Sequence, residues 1–243
     1  MTRTIVCFGD SNTHGADPSG TGRMGPDVRW PRVMARQLGE GYEVIEEGLN
    51  GRTTCWDTPL SPGRNGLTYL VPCLESHAPV DLVIIMLGTN DTKTIYGLGA
   101  PEIASSMALL VDEARRTLTG PDKTPPAVLV VSPVPLGEVT DRSELWGFGE
   151  ARAKSRELAR FYAIVAEDAG VAFFDAGAVA EVHPDDGVHL DAVACGSLGT
   201  SLADEVRSLR ELVACQRDTA RWGSSSSSGA GSHAGCDGRG VVR

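Results

Sequence analysis

Two stretches of this chain limit its architecture more than any other. Asp81–Leu87 reads DLVIIML and Ala127–Ser132 reads AVLVVS, and both are apolar on either face of an extended strand. A strand with one wet face alternates polar and apolar residues. These two therefore belong inside a parallel sheet that is covered by helices on both sides. Thr4–Phe8, Glu43–Glu47 and Val171–Phe174 are three shorter strand candidates. Helical segments lie between the strands. Trp30–Leu38 carries Pro31 in its first turn, and Gly66–Ser76 places Leu67, Leu70, Cys73 and Leu74 at helical spacing. Pro101–Leu118 repeats Ile103, Met107, Leu110, Val111 and Ala114 on one face, and Ala151–Ala169 turns Leu158, Phe161, Tyr162 and Val165 inward. Asp191–Leu212 is the last helix. Five strands separated by helices predict an α/β fold with a doubly wound parallel sheet.

Composition narrows the partners. Twenty-two basic against 32 acidic residues give a net charge of −10, which opposes duplex nucleic acid or an anionic membrane as the main partner. No apolar run approaches the length of a membrane span. The N-terminus lacks a signal-peptide pattern, since the run Ile5–Phe8 stops at Gly9 and Asp10. Six cysteines lie far apart with no CxxC pair, the usage expected of reduced thiols in a cytoplasmic protein. From Gly223 to Arg243 there are 6 Gly and 6 Ser in 21 residues. The expected organisation is one domain over 1–214 and a flexible tail over 215–243.

Ligands of such sheets bind at the carboxyl ends of strands, so the residues after each strand carry the functional reading. The first strand runs into Gly9-Asp10-Ser11-Asn12-Thr13. A serine on a strand-to-helix turn exposes its hydroxyl and points its amide outward, although Asp10 or Ser11 can equally serve as a helix cap. The second strand is followed by Gly48-Leu49-Asn50-Gly51-Arg52-Thr53-Thr54, where Gly51 admits close approach of backbone to a ligand or simply makes a turn. The third is followed by Gly88-Thr89-Asn90-Asp91. Asn90 offers an uncharged donor or an Asx turn there, and Asp91 reads as a helix cap. Near the C-terminus, His183-Pro184-Asp185-Asp186-Gly187-Val188-His189-Leu190-Asp191 permits two chemistries. Asp186 and His189 fit a charge partner and general base, whereas the two histidines and three carboxylates fit a metal site. No second ligand cluster is evident elsewhere in the sequence, which argues against the metal.

In chain order the four segments supply a nucleophile, two neutral donors and an acid–base pair. FGDSN, GLNGRTT, GTND and DGVHLD together resemble the SGNH or GDSL-type hydrolases, over nearly the whole domain from Thr4 to about Leu212. DVRWPRVMARQLG, EVIEEGLNGRTT and DLVIIMLGTNDTK look like the arylesterase and acyltransferase branch of mycobacterial type. The resemblance implies a flavodoxin-like three-layer α/β/α sandwich with a five-stranded parallel sheet, and carboxyl-ester hydrolysis without cofactor or metal. Carried over by position, Ser11 is the nucleophile and Asp186 and His189 complete the triad. Ser11, Gly51 and Asn90 form the oxyanion hole. His14, Trp56 and Trp146 are weaker candidates for substrate binding, and His183 reads as a surface histidine. The expected protein is a cytoplasmic esterase for small short-chain esters, mainly a hydrolase with minor acyl transfer to alcohols. Sugar O-deacetylation or thioester hydrolysis is the alternative within the family, and its oligomeric state stays open. A non-catalytic rival, in which GDSNT cradles a phosphate or flavin, leaves Asp186 and His189 unexplained.

Overall fold

The structure, a computed structural model, describes residues 2–223, with side chains through residue 209. By internal contacts the chain divides into a main unit, Met1–Glu205, and a C-terminal unit, Val206–Arg243. The main unit holds the sheet and every site discussed below. Five strands, β1 (Arg3–Gly9), β2 (Tyr42–Gly48), β3 (Leu82–Met86), β4 (Ala127–Ser132) and β5 (Ala172–Asp175), form one sheet in the order β2-β1-β3-β4-β5. All four pairings are parallel, with Gly9 opposite both Gly48 and Met86. This is the doubly wound order in which the chain reverses direction across the sheet between β1 and β3, the place where such folds bind ligands.

The helices of the main unit are α1 (Ser11–His14), α2 (Trp30–Leu38), α3 (Gly66–Ser76), α4 (Ala100–Arg116), α5 (Asp141–Leu145) and α6 (Ala151–Ala169), and α7 (Ala192–Gly223) begins there. Every residue of β3 is buried, as its two-faced apolar sequence requires. On one face Val6, Phe8, Val83, Ile85, Val128 and Val130 form a core with Leu70 and Leu74 of α3, Met107 and Leu110 of α4, and Leu158 and Tyr162 of α6. On the other side of the molecule α7 lies so close to α2 that a Cβ at Gly199 would sit 2.6 Å from the Trp30 carbonyl oxygen. The result is the expected three-layer sandwich.

Several boundaries follow from caps. α4 begins at Ala100 because the Gly99 amide donates to the Glu102 carboxylate at 3.0 Å, and it ends before Thr117. Asp191 stays outside α7 and caps it, accepting the Ala194 amide at 2.8 Å. α7 runs to Gly223, beyond the expected Leu212. Of the expected tail over 215–243, residues 224–243 lie outside the described residues. No helix among the described residues is long and apolar enough to cross a membrane.

Candidate active site

β1 ends at Gly9 and the chain turns at once into α1. A Cβ at Gly9 would lie 2.0 Å from Thr13 Oγ1 and 2.9 Å from the Met86 carbonyl oxygen, so only glycine lets the helix start this close to the strands. Asp10 caps α1, its Oδ1 accepting the Asn12 amide at 2.9 Å. Ser11 is then the first helical residue, nearly buried, with its hydroxyl turned toward the loop that precedes α7.

That loop brings His189 and Asp186. Ser11 Oγ lies 3.0 Å from His189 Nε2, and His189 Nδ1 lies 2.7 Å from Asp186 Oδ2. The short contact with a carboxylate assigns the ring proton to Nδ1, which leaves the Nε2 lone pair facing the serine hydroxyl. The other oxygen of Asp186 accepts the amides of Val188 at 2.8 Å and His189 at 2.9 Å. Burial pushes the Asp186 carboxyl up, but the hydrogen bonds from the His189 ring and the two amides outweigh it and hold the group below the usual carboxylate range. Asp186 is therefore an anion inside the fold, placed to orient the imidazole and to stabilise its protonated form.

The neutral donors arrive on the neighbouring strand ends. Gly51 adopts φ +79°, a left-handed conformation that suits glycine. Its loop is drawn against the end of β1 by the Leu49 amide, which donates to the Gly9 carbonyl at 3.1 Å. Asn90 Nδ2 donates one hydrogen to the Arg52 carbonyl at 3.1 Å, leaving its second for a ligand. Ser11, Asp186, His189, Gly51 and Asn90 are thus assembled on adjoining strand ends and one loop.

Three further residues hold this arrangement, a role that the sequence pattern assigns to none of them. Asn12 Oδ1 accepts the Leu190 amide at 3.0 Å while its Nδ2 donates to the Val188 carbonyl at 3.2 Å, gripping the backbone on both sides of His189. Arg52, buried, donates to the Gly9 carbonyl at 2.9 Å and to the Glu47 carbonyl, and its guanidinium lies 4.2 Å from the centroid of the Phe8 ring. Asp91 is not a helix cap. Its carboxylate accepts the Thr54 amide at 3.0 Å and the Thr54 hydroxyl, tying the Asn90 segment to the Gly51 loop. Burial, countered in part by Thr54, pushes the Asp91 carboxyl up to about 6. The only signal available for these residues was their place beside a motif.

The weaker candidates separate. Trp146 packs edge-on to the His189 ring, 5.6 Å between centroids, and is 37% exposed. Trp56 instead donates its indole N–H to Ser106 Oγ on α4 at 3.0 Å. His14 lies beside Gly48, Arg23 and Arg29, where burial and then Arg23 push its ring pKa down. His183 turns to Asp185, 3.6 Å away, and among the described residues this loop brings no three metal-ligating atoms together.

The sequence matches the model of the GDSL-like lipase/acylhydrolase family over residues 7–194. No curated protein matches it. Among solved structures, the native aryl esterase of M. smegmatis is 45% identical, with a TM-score of 0.81, covering 86% of this chain and all of its own. A carbohydrate acetylesterase from Sinorhizobium meliloti is 42% identical, with a TM-score of 0.82 and the same coverage. The lipase/acylhydrolase of Enterococcus faecalis, at 20% identity and a TM-score of 0.59, shares the fold.

Proposed function

We propose, for a chain that belongs to the GDSL-like lipase/acylhydrolase family and is a carboxylic ester hydrolase, that it cleaves small short-chain esters through an acyl-enzyme on Ser11. The observation that carries this reading is the unbroken hydrogen-bond chain from Ser11 Oγ through His189 to Asp186, at 3.0 and 2.7 Å. A free serine hydroxyl is a weak nucleophile and needs an adjacent base. His189 Nε2 takes the proton as Oγ bonds to the ester carbonyl carbon, and the carbonyl oxygen becomes an oxyanion. The amides of Ser11 and Gly51 and the second N–H of Asn90 receive that charge. His189 then returns the proton to the departing alcohol. Water attacks the acyl-serine with His189 again as base, which releases the acid and restores Ser11.

The surroundings of His189 support a short-chain substrate. Trp146 flanks the imidazole edge-on as an apolar wall, and the residues after Ser11 are small or polar and turned into the fold. Asn12 and Thr13 are buried, so the helix presents no large apolar face for a long chain. Free thiols at Cys7, Cys55, Cys73 and Cys195 are in keeping with a reducing cytoplasm. Acetylated carbohydrate is the second candidate substrate, favoured by the Sinorhizobium neighbour.

The test is a series of p-nitrophenyl esters from acetate to decanoate, run beside acetylated sugars. The expected result is kcat/KM highest for the shortest aryl esters and falling with chain length. A preference for decanoate contradicts the short-chain reading, and a preference for the sugars moves the substrate to carbohydrate. With vinyl acetate and dilute benzyl alcohol in buffer, acetate should exceed benzyl acetate at early times. The reverse ratio would make the protein chiefly a transferase.

A further inference from the structure

A second cluster of reactive side chains shares no residue with Ser11, His189 and Asp186. Glu47 stands near the end of β2, Cys73 in the last turn of α3, and His77 four residues further on, capping that helix. His77 Nε2 lies 2.8 Å from Glu47 Oε1, and the three ligand atoms (one carboxylate oxygen, one ring nitrogen and the thiol sulfur) all lie within 4.8 Å of one another. Among the described residues this is the one group of three or more such side chains that converges. No ligand cluster outside the His183–Asp191 loop is evident in the sequence, because Glu47 joins Cys73 and His77 only through the pairing of β2 with β1 and the packing of α3 on that face.

We propose that Glu47, Cys73 and His77 bind one thiophilic divalent ion of the zinc class. Tetrahedral zinc holds sulfur at about 2.3 Å and nitrogen or oxygen at about 2.0–2.2 Å, which sets neighbouring ligand atoms roughly 3.3–3.7 Å apart. The cluster reaches that spacing by closing on the order of an ångström, within the range of side-chain adjustment. Cys73 is fully buried and supplies a fixed sulfur, while the His77 and Glu47 side chains are 28% and 19% exposed and give an ion its way in. On binding, the Cys73 S–H proton leaves to solvent, sulfur bonds to the metal as thiolate, and His77 exchanges its hydrogen bond with Glu47 for a metal bond.

The donor set also selects the ion. Calcium and magnesium take six or more oxygen ligands or several bound waters, and here one carboxylate stands near the buried guanidinium of Arg52. One thiolate and one imidazole suit zinc or cobalt, with water in the fourth position.

The experiment is titration of the reduced, metal-stripped full-length chain with cobalt chloride, followed by absorption. The expected result is saturation at one ion per chain, with a thiolate-to-cobalt charge-transfer band and tetrahedral d–d bands, displaced by zinc and unaffected by excess magnesium or calcium. Cys73→Ser should abolish the charge-transfer band. Because Cys73 is buried and its variant can fail to fold, His77→Ala and Glu47→Gln are titrated as well, and each should weaken binding by at least the roughly 10–100-fold that loss of a partner bonded only to a metal ligand costs. No charge-transfer band in the wild type, a band that survives Cys73→Ser, or unchanged affinity in either of the other variants overturns the assignment.

Discussion

Ser11 reaches the site on the short helix that opens directly off the end of a central strand, whereas His189 reaches it on a loop that belongs to no helix or strand. The strand end is fixed by the sheet itself, with β1 paired on both sides and Gly9 set opposite Gly48 and Met86. The loop has no ladder to hold it. A few local bonds shape it instead: the His183 amide donates to the His189 carbonyl at 2.8 Å and the Gly187 amide to the His183 carbonyl at 2.9 Å, Asp186 accepts the amides of Val188 and His189, and Asn12 binds the backbone before and after His189. Sheet pairing places a group through many cooperative contacts, while a loop held by a few polar bonds depends on each of them. The nucleophile half should therefore tolerate single changes better than the base half, except where a change removes a reacting group.

The largest effect that sharpens this contrast is on the strand side. On the proposed mechanism Asn90→Ala removes a donor to the oxyanion, and it should lower kcat on the order of 10²–10³-fold with little change in KM. The same change also unties the Arg52 carbonyl, so steady-state kinetics and thermal melting are measured together. A raised KM with kcat preserved would make Asn90 a binding or bracing residue instead.

On the loop side, Asn12→Ala touches no reacting atom yet releases both backbone bonds that flank His189. A base misplaced by about an ångström can cost on the order of 100-fold, so kcat should fall by roughly 10–100-fold with KM nearly unchanged. Loss of two buried hydrogen bonds should also lower stability by about 1–3 kcal/mol. If kcat stays within a factor of about two, the loop holds His189 without Asn12 and the contrast between the two halves fails.

The smallest effect concerns the strut between the donor loops, read as stability against pH. Asp91 has its pKa raised from 3.8 to about 6 in the fold, so the native state binds its proton more tightly than the unfolded chain. The group's contribution is most favourable below pH about 4 and is lost as pH rises through about 6. Asp186 runs the other way. Its lowered pKa contributes stability above the ordinary carboxylate range that is lost as pH falls. Asp91→Asn removes the first of these titrations, so the melting temperature of the variant relative to wild type should be higher at pH 7 than at pH 4, by a few degrees. An equal difference at both pH values would mean that Asp91 titrates normally.

Much of this was legible in the sequence because the relevant signals are local. The two-faced strands placed β3 and β4 at the centre, and Trp30–Leu38, Gly66–Ser76 and Ala151–Ala169 have the helix bounds that their periodicity predicts. The four blocks follow strand or loop positions that the fold turns toward one edge. What stayed hidden depends on contacts across long stretches of chain. Asn12 meets Val188 and Leu190 more than 170 residues away, and Asp91 meets Thr54 at a separation of 37. A hydrogen bond of that kind leaves no period in the sequence, and an asparagine or aspartate beside a motif reads as a cap. Trp56 and Trp146 looked equivalent for the same reason, and packing alone turned one to α4 and the other to His189.

The central claim is that the hydroxyl of Ser11 is the group acylated. The most direct measurement is the intact mass of the protein after brief exposure to a fluorophosphonate, with peptide mapping, on wild type and on Ser11→Ala. The expected result is a single adduct on the peptide that carries Ser11, absent from the variant. The variant should keep the wild-type melting temperature and lose esterase activity by several orders of magnitude, as removal of a triad member does. An adduct that persists in Ser11→Ala, or a variant that retains more than about a tenth of kcat, would contradict it.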